Sequence, residues 1–497
     1  MPVSAQEALR ITRVLEQKLD GRQKSIRVWN DFFGGRHNLA WASERFKLAF
    51  GGLFADFADN WCEVVCSAPA ERLTPVGFRF GTGDEDLVPA DREAQKIWQA
   101  NSLDAWARVA HTEAMVKSRA FVLVWVDDPE ADVPEPHITV EDATQCIVAY
   151  EPGSRRRRVA ALKRFDGEDG FTYATLYLPD EIWKWRRSGS LVAAGSPVQS
   201  GLILPPGLAT QWEPRGDDPE QQRIDNPLKR VPMVELRNRP RLVDDPTPEH
   251  QAVIPLQDAT NKLIADMMVA AEEGAFPARW GTGIDLPKDP LTGQEIDDPE
   301  LWRLSVSKML RASNPQAKFG NFEAADLRNF VAGITMLTEH ISAISRTPPT
   351  YFMGKVENVA ADALTASEAG LASKCRDKTM FLGEDWEEVL RLAFLVKGDD
   401  KRGNNPLAET IWRDVEYRTE AQHIDAVLKR KALGVPWRQL MEDAGYTPTQ
   451  IDRMERMLEQ DADRAARALA FKTPEGDDFG DGLDDVGAED REAGAVA

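Results

Sequence analysis

Cysteine and histidine are scarce in this sequence: the chain of 497 residues has four cysteines and six histidines. Neither residue type shows the close spacing of metal ligands. Cys62 and Cys66 lie one helical turn apart among apolar residues, which predicts buried thiols rather than a zinc site. Unpaired buried thiols are typical of proteins in a reducing compartment such as the cytoplasm.

Long hydrophobic runs are also missing. The longest strongly apolar run, Ala120–Val126, is far shorter than the about 20 residues that a bilayer-spanning helix requires. No signal peptide is recognisable at the start of the sequence. The sequence therefore predicts neither secretion nor a membrane span.

Recognisable catalytic motifs are absent as well. The sequence has no Gly-x-x-x-x-Gly-Lys-Ser/Thr phosphate loop and no Gly-x-Ser-x-Gly nucleophile turn. The paired carboxylates at 244–245 and 297–298 stand beside prolines, and the acidic run 84–86 is more typical of a solvated loop than of a metal site. ATP hydrolysis is therefore not indicated, although an enzyme with an unrecognised active site stays open.

Acidic residues outnumber basic ones, 82 to 61, which gives a formal net charge of -21. Such a chain is soluble and repels polyanions on average. Hydrophobic residues make up 42% and charged residues 29%, as in globular proteins. The length predicts several domains rather than one core.

The clearest periodic pattern is an amphipathic helix over 323–346. The helix must end near Arg346, because Pro348 and Pro349 follow and the residue before a proline disfavours helical geometry. Its apolar residues recur at three- and four-residue steps and comprise Leu327, Val331, Ile334, Leu337, Ile341 and Ile344.

The segment 347–360 has no clear period and predicts a loop. Asn358 can cap a further long helix, which we expect over 361–398. On periodicity alone, the interpretation is two packed helices joined by a loop.

Another long helix is predicted over 249–274. Pro255 suits its first turn, and about 30 Å separates Pro255 from Gly274 at 1.5 Å per residue. Residues 275–322, between the two amphipathic helices, are rich in turn-forming residues and predict a small exposed insert. The apolar face of the helix comprises Leu256, Leu263, Met267 and Ala270.

Residues 1–248 mix predicted helices with predicted strands. A capping box at Ser4 begins a helix to about Asp20, and a separate helix follows over 25–33. Further helices are predicted over 43–72 and, as an amphipathic pair, over 91–118. The strands, bounded by turn residues, are 75–80, 120–126, 137–140, 145–150, 155–165, 171–178, 181–186 and 231–237.

Residues 399–470 predict a bundle of short helices after a connection at 404–415. Capping residues and a terminating glycine bound these helices. The last segment, 471–497, has nine acidic and two basic residues and little apolar content, so it is predicted to be disordered. The helices of the bundle are 419–433, 436–444 and 447–470.

Several of these stretches together resemble the portal proteins of tailed bacteriophages. The central match is AISRTPP at 343–349, followed by a hydrophobic loop, an Asn, and SEAGL at 367–371. PLQDA at 255–259 and WNDFFGG at 29–35 belong to the same resemblance, which covers most of residues 22–470. A pattern of several parts is much more specific than one short motif.

The resemblance implies an α+β portal fold with an α/β wing, a long-helix stem, a small α/β clip and a helical crown. The implied divisions are the wing 1–248, stem helix one 249–274, the clip 275–322, stem helix two 323–346, the tunnel loop 347–360, the wing-crossing helix 361–398, the crown 399–470 and the tail 471–497.

The function implied by the resemblance is a passive DNA channel. Twelve subunits would form a homo-oligomeric ring at one capsid vertex of the virion, after assembly in the host cytoplasm. Double-stranded DNA would be contacted non-specifically, and the protein partners would be the terminase large subunit, the head-tail adaptor protein and the major capsid protein. No membrane, cofactor, metal or catalytic residue is implied.

Candidate functional residues follow from the same resemblance. The tunnel loop would contribute Tyr351, Phe352 and Met353, which would pack between neighbouring loops and set the bore. Its Lys355 would touch phosphates as a mobile point charge. Packing between stems would use Leu327, Val331, Ile334, Leu337, Ile341, Leu256, Leu263 and Met267. The consecutive residues Arg155, Arg156, Arg157 and Arg158 suit either a solvated hairpin end, which strand alternation favours, or a contact with DNA or the capsid.

Two alternatives remain at this point. One is a different structural protein of the phage head, such as an adaptor. The other is a hydrolase whose active site is not recognisable in the sequence.

Overall fold

A computed structural model provides the coordinates. It describes residues 3–37, 59–81, 91–126, 134–154, 156–188, 211–215, 222–275, 279–283, 291–293, 315–321, 326–353, 361–416 and 420–470. Helices and antiparallel strands occur largely in separate runs along this chain, as the predicted α+β class requires.

The N-terminal helix α1, Ala5–Phe33, is continuous. The predicted break between Asp20 and Ser25 is therefore wrong. Gly21 occupies an exposed position with open space around it, so its modest cost in a helix is offset by the buried apolar residues on either side. The Ser4 hydroxyl caps the helix by accepting a hydrogen bond from the Glu7 amide at 3.3 Å.

Three helices and a short strand follow α1 and surround the centre of the molecule. The amphipathic pair predicted over 91–118 is confirmed as two helices. These elements are α2 (Trp61–Ala70), β1 (Pro75–Phe80), α3 (Arg92–Ala100) and α4 (Leu103–Lys117).

A three-stranded antiparallel sheet has β2, Arg119–Val126, at its centre. Its neighbours are β3, Pro136–Glu141, and β10, Met233–Arg237. Most of β2 is buried, which confirms the prediction of a strand that is apolar on both faces. Strands β4 to β9 lie between β3 and β10 in sequence.

The larger antiparallel sheet has the order β4-β5-β6-β7-β8, with β9 also paired to β7. Helix α1 packs on this sheet along β4 and β5, and its Leu15 and Leu19 belong to the same core cluster as Trp183 and Trp185. The strands are β4 (Cys146–Tyr150), β5 (Arg158–Asp166), β6 (Phe171–Tyr177), β7 (Glu181–Ser188), β8 (Glu213–Pro214) and β9 (Arg223–Asp225).

Two long helices and a small hairpin form the middle of the chain. The helix predicted over 249–274 is confirmed as α5, Ile254–Ala275, and the helix predicted to stop near Arg346 is confirmed as α6, Leu327–Ser345. Between them, β11 (Arg279–Thr282) pairs antiparallel with β12 (Lys318–Asn321).

Helix α8, Ala361–Val396, is the longest element of the described chain, with 36 residues or about 54 Å. It follows the short helix α7, Thr350–Met353, and crosses the wing core. The Trp386 ring lies edge-on to Trp98 with ring centroids 4.9 Å apart, and its indole N–H donates to His111 Nε2 at 2.8 Å. This helix confirms the prediction over 361–398.

The connection predicted at 404–415 contains a strand, which corrects the prediction. After the short helix α9, Asp400–Gly403, strand β13, Ala408–Trp412, pairs antiparallel with β1. The pairing depends on a partner more than 300 positions away, which local turn chemistry does not reveal. Residues 400–412 therefore belong to the same core as the wing rather than to a purely helical crown.

The C-terminal helices agree with their predicted positions. A glycine with φ of +85° follows the first of them, as a helix terminator requires. The first residues of the last helix are capped by reciprocal hydrogen bonds between Thr447 and Gln450. The helices are α10 (Glu420–Ala432), α11 (Trp437–Asp443) and α12 (Pro448–Ala470).

Among the described residues, no helix combines the length and the apolar character of a membrane-spanning segment. Within the same ranges, no three His, Cys, Asp or Glu side chains converge as a metal site would require. All four cysteines are free and buried, which confirms the prediction for the thiols. The acidic run 84–86 and the segment 471–497 lie outside the described residues.

Candidate functional site: the stem and its junction with the wing

Helices α5 and α6, together called the stem here, pack along each other. At one crossing point Gly333 faces Leu263, where an added Cβ would lie 3.2 Å from a Leu263 methyl carbon. A larger residue at 333 would require this methyl group to move by a few tenths of an ångström, so the glycine suits the close approach of the two helices.

The first turns of α5 fix the stem to the wing through buried polar side chains. The side-chain oxygen of Gln257 accepts a hydrogen bond from the Trp61 backbone amide at 2.8 Å. The side-chain oxygen of Asn261 accepts one from the Asp59 backbone amide at 3.1 Å. Thr260 is buried on the same side of the helix. Because Asp59 and Trp61 lie where α2 begins, these bonds fix the angle at which α5 leaves the wing.

Sequence analysis by apolar periodicity missed this polar contact. The available signal was Gln257 and Asn261, one turn apart on a helix whose apolar residues occupy other faces.

Much of the apolar surface of the stem is uncovered in the single subunit. Val331 is 54% exposed, Met336 is 50% exposed and Ile344 is 53% exposed. Of the residues predicted to pack between stems, only Ile341 is fully buried within its own subunit. The others are partly buried and comprise Leu256, Leu263, Met267, Leu327, Ile334 and Leu337.

A tight turn ends α6. Arg346 has a left-handed φ of +53°, and the Ser342 hydroxyl donates to the Thr347 carbonyl at 2.6 Å. Thr347 and Pro348 are buried, so the chain enters the predicted tunnel loop from a fixed point.

The beginning of the predicted tunnel loop is helix α7, which is anchored in the wing. Phe352 is 6% exposed and lies edge-on to Trp61, with ring centroids 5.5 Å apart. The Tyr351 hydroxyl accepts from Arg72 Nη2 at 3.0 Å, and Arg72 also pairs with Glu368 of α8 at 3.0 Å. The expectation that Phe352 packs between neighbouring loops is therefore corrected, because its ring is covered within the subunit.

The remaining tunnel-loop residues are not placed. Lys355 lies within 354–360, outside the described residues, and the same holds for the side chain of Met353.

A cavity of about 390 Å³ opens where the stem meets the wing. The Glu249 carboxylate is 5% exposed and accepts from Lys378 Nζ at 2.7 Å, while Lys374 Nζ lies 3.2 Å away. Lys374 also donates to the Ser345 carbonyl at 2.7 Å, and Arg346 lines the same cavity. One buried carboxylate thus links α8, the end of α6 and the segment before α5.

The electrostatics of this junction favour the charged form of Glu249. Burial opposes ionisation, but Lys378 and Lys374 lower the pKa of Glu249 to about 2. Burial lowers the pKa of Lys374, and Glu249 works against that shift. Removing the carboxylate would leave two ammonium groups buried without compensation.

Three of the four predicted arginines lie in the described chain, and they do not share one environment. Arg158 is the first residue of β5, is largely buried and pairs with Glu388 of α8. Arg157 is 75% exposed and lies 3.7 Å from Glu151, and Arg156 is exposed. Arg155 lies outside the described residues.

These features define an assembly subunit. A wing core complete within one chain carries a helical stem whose apolar side is uncovered, and the polar junction between them fixes the angle of the stem. A structural protein that assembles with other molecules is the class that this arrangement indicates.

Comparison with known proteins gives the family. The family described as "Phage portal protein, SPP1 Gp6-like" matches residues 60–465. The portal proteins of Mycobacterium phage D29 and Mycobacterium phage L5 are each 31% identical to this chain over 411 residues, 79% of this chain and 77% of each relative. The chain therefore belongs to the phage portal protein family, whose members are structural components of the head-to-tail connector.

A solved structure is also similar. The chain titled "Neck of native GTA particle computed with C12 symmetry" matches with a TM-score of 0.41 and 12% identity, over 82% of this chain and 95% of that one.

Proposed function

We propose that this portal protein forms a dodecameric ring at one capsid vertex and that double-stranded DNA passes through the ring during packaging and ejection. The observation that carries the proposal is the uncovered apolar side of the stem, with Val331, Met336 and Ile344 each about half exposed. In a closed ring, every subunit covers this surface on one neighbour.

The charge of the chain suits a channel that does not choose a sequence. A duplex carries about one negative charge per 1.7 Å of axis, and a basic lining would hold it tightly. A subunit with a net charge of -21 binds such a polyanion weakly overall. Lys355, Tyr351 and Met353 remain our proposed tunnel-loop residues.

The hairpin of β11 and β12 is the proposed docking surface for the terminase large subunit and then for the head-tail adaptor. Trp280 and Phe319 are each 39% exposed on it. An added Cβ on Gly320 would lie 2.6 Å from the Trp280 ring, so the glycine allows this ring to lie across its partner strand. Exposed aromatic residues of this kind are typical anchors of protein interfaces.

The remaining partners and places follow from the same proposal. The wing contacts the major capsid protein in the virion, and the ring assembles in the host cytoplasm before the capsid closes. The proposal needs no cofactor, metal or catalytic residue.

Electron microscopy of the purified chain tests the ring. Particles with a central hole and the mass of an oligomer by light scattering are expected. A monomer at high protein concentration, with the described fold intact by circular dichroism, would contradict the proposal.

Phage carrying Lys355→Glu test the channel. Heads should assemble normally but package less DNA or lose it, because a positive point charge facing the phosphates becomes negative. Lys401→Glu, at an exposed position of α9, is the control with the same charge change. Full, stable and infectious heads from the Lys355 variant would remove this residue from the channel.

A further inference from the structure

A compact cluster of basic residues lies on the wing, away from the stem. It surrounds a cavity of about 330 Å³ and is called the basic groove here. Glu388 is the only acidic residue of its lining in the described chain, and Pro179 and Val231 complete it. The basic side chains of the groove are Arg156, Arg157, Arg158, Lys229 and Arg230.

The positive charge of the groove is only partly compensated. Arg158 pairs with Glu388, and Arg391 also donates to Glu388 at 2.9 Å. Because two arginines share this one carboxylate, it does not neutralise the other basic residues of the groove. Arg230 donates to neutral acceptors, the Gly403 carbonyl and the Asn404 side chain. Arg158 and Arg230 are therefore held by the fold.

The exposed basic residues of the groove form only weak ion pairs with acidic residues. Arg157 lies 3.7 Å from Glu151 and is 75% exposed, and Lys229 lies 3.8 Å from Asp180 with both side chains about two-thirds exposed. Exposed pairs at such distances contribute little. Arg156 has no ion pair within the described ranges. The groove thus keeps a local positive charge in a chain whose net charge is -21.

We propose that the basic groove binds the acidic C-terminal segment 471–497 of this chain, from the same or a neighbouring subunit. The segment has nine acidic and two basic residues, with acidic pairs at 477–478 and 484–485 among glycines. Carboxylates would meet Arg156, Arg157 and Lys229, the cations that the fold leaves accessible. This proposal does not depend on the ring or on the DNA channel.

The length of the segment is sufficient for this contact. Twenty-seven residues beyond Ala470 span at most about 90 Å when fully extended. A tethered ligand also has an effective concentration in the millimolar range, so individually weak contacts suffice to hold it.

The groove suits a single chain better than a duplex. Its basic residues surround one small cavity rather than forming a stripe along the surface, and a single extended strand enters where a duplex touches only the rim. The adjoining cavity, which shares Arg156, is lined by Glu384 and Asp385 and ends the positive surface on that side.

Disulfide trapping in the full-length chain tests the proposal. The four native cysteines are buried, so introduced cysteines react selectively. Pro179→Cys places a thiol in the groove without removing a charge, and Gly482→Cys places one between the acidic pairs. The matched control pairs Gly482→Cys with Val109→Cys, because Val109 is 42% exposed on α4.

At low salt, the cysteines at 179 and 482 should form a disulfide about tenfold faster than the cysteines at 109 and 482. The difference in rate should vanish near 1 M salt, where the screening length is about 3 Å. Replacing Arg156, Arg157 and Lys229 by glutamate should abolish this difference in rate. Replacing three exposed basic residues of α1 by glutamate makes the same change in charge and should preserve the difference; these residues are Lys18, Lys24 and Arg27.

Equal rates for the groove and control pairs would overturn the proposal, as would an advantage that survives charge reversal in the groove. A third outcome would reassign the groove: no trapping of the segment, together with weaker duplex DNA binding after charge reversal, would make DNA its ligand. Circular dichroism of each variant confirms that the fold is retained.

Discussion

Apolar side chains are buried in the wing core, but several of those on the stem are about half exposed. In the wing, Trp98 and Trp386 are no more than 1% exposed and contact each other edge-on. On the stem, Val331 and Met336 are 54% and 50% exposed, although they lie on a regular helix. The wing therefore obtains its stability within one chain, whereas the stem has apolar surface that only another molecule can cover.

The largest change in stability should follow from opening the wing core. Trp386→Ala removes a fully buried ring and leaves His111 Nε2 without its donor, so the free energy of unfolding should fall by about 4 kcal/mol. Denaturant titration measures the loss. Trp106→Ala is the control, because Trp106 is 52% exposed and its removal should change stability by less than about 0.5 kcal/mol.

The next largest effect should come from the junction between the two regions. Glu249→Ala leaves Lys378 and Lys374 buried without their counter-ion and should cost about 3 kcal/mol. The contribution of Glu249 is present above the unfolded-state pKa near 4.5 and is lost as the pH falls towards its folded pKa of about 2. The difference between wild type and variant should therefore shrink below pH 4.

A double variant separates the two causes of that loss. Replacing Glu249 and Lys378 together by apolar residues removes one cation with the anion and should recover part of the stability. A double variant as unstable as Glu249→Ala would show that packing, and not the uncompensated charge, dominates.

A smaller effect within the wing should depend on pH. Burial, and then Glu384, raise the pKa of Glu387 to about 7, while the side chain accepts from the Thr410 amide at 3.0 Å. The folded state thus holds the proton more tightly than the unfolded state, and stability is lost as the pH rises from 4.5 through 7. Glu387→Gln should raise the free energy of unfolding at pH 8 and leave it unchanged at pH 4, because the amide stays neutral where the unfolded-state carboxyl group would ionise. Thermal scans at both pH values measure this.

Substitutions at exposed apolar positions of the stem should change the stability of the subunit least and its assembly most. Val331→Asp with Met336→Asp should alter the unfolding free energy of the subunit by less than about 0.5 kcal/mol, because both side chains are already exposed. The oligomer mass by light scattering should fall sharply. Asn329→Asp with Thr335→Asp adds the same charge to exposed polar positions of α6 and should leave the mass unchanged.

The sequence predicts best where the apolar residues of one helix or strand follow a regular spacing. Helix α6 and strand β2 were placed to within a few residues because the spacing of their apolar residues is a local property. Pairings between strands that are distant in sequence cannot be predicted in this way. The pairing of β13 with β1 could not be predicted, because nothing within 404–415 indicates which edge will accept it.

The contacts of the candidate site could not be predicted from the sequence. The resemblance indicated neither that Phe352 points inward nor that Arg72 bonds to Tyr351. Glu249 was not singled out either, since a lone acid before a helix looks solvated until its two lysines are brought to it from α8. Such contacts depend on tertiary packing.

The pairing of β1 with β13 also determines the order in which the protein can mature. Arg79 and Glu409 face each other across this ladder and are 330 positions apart in the chain. At synthesis rates of about 5–20 residues per second, β1 leaves the ribosome tens of seconds before its partner exists. The stem and the clip are therefore made while one edge of the wing stays open. A chain that ends before Ala408 lacks the strand that pairs with β1, so its wing core keeps an unpaired strand edge.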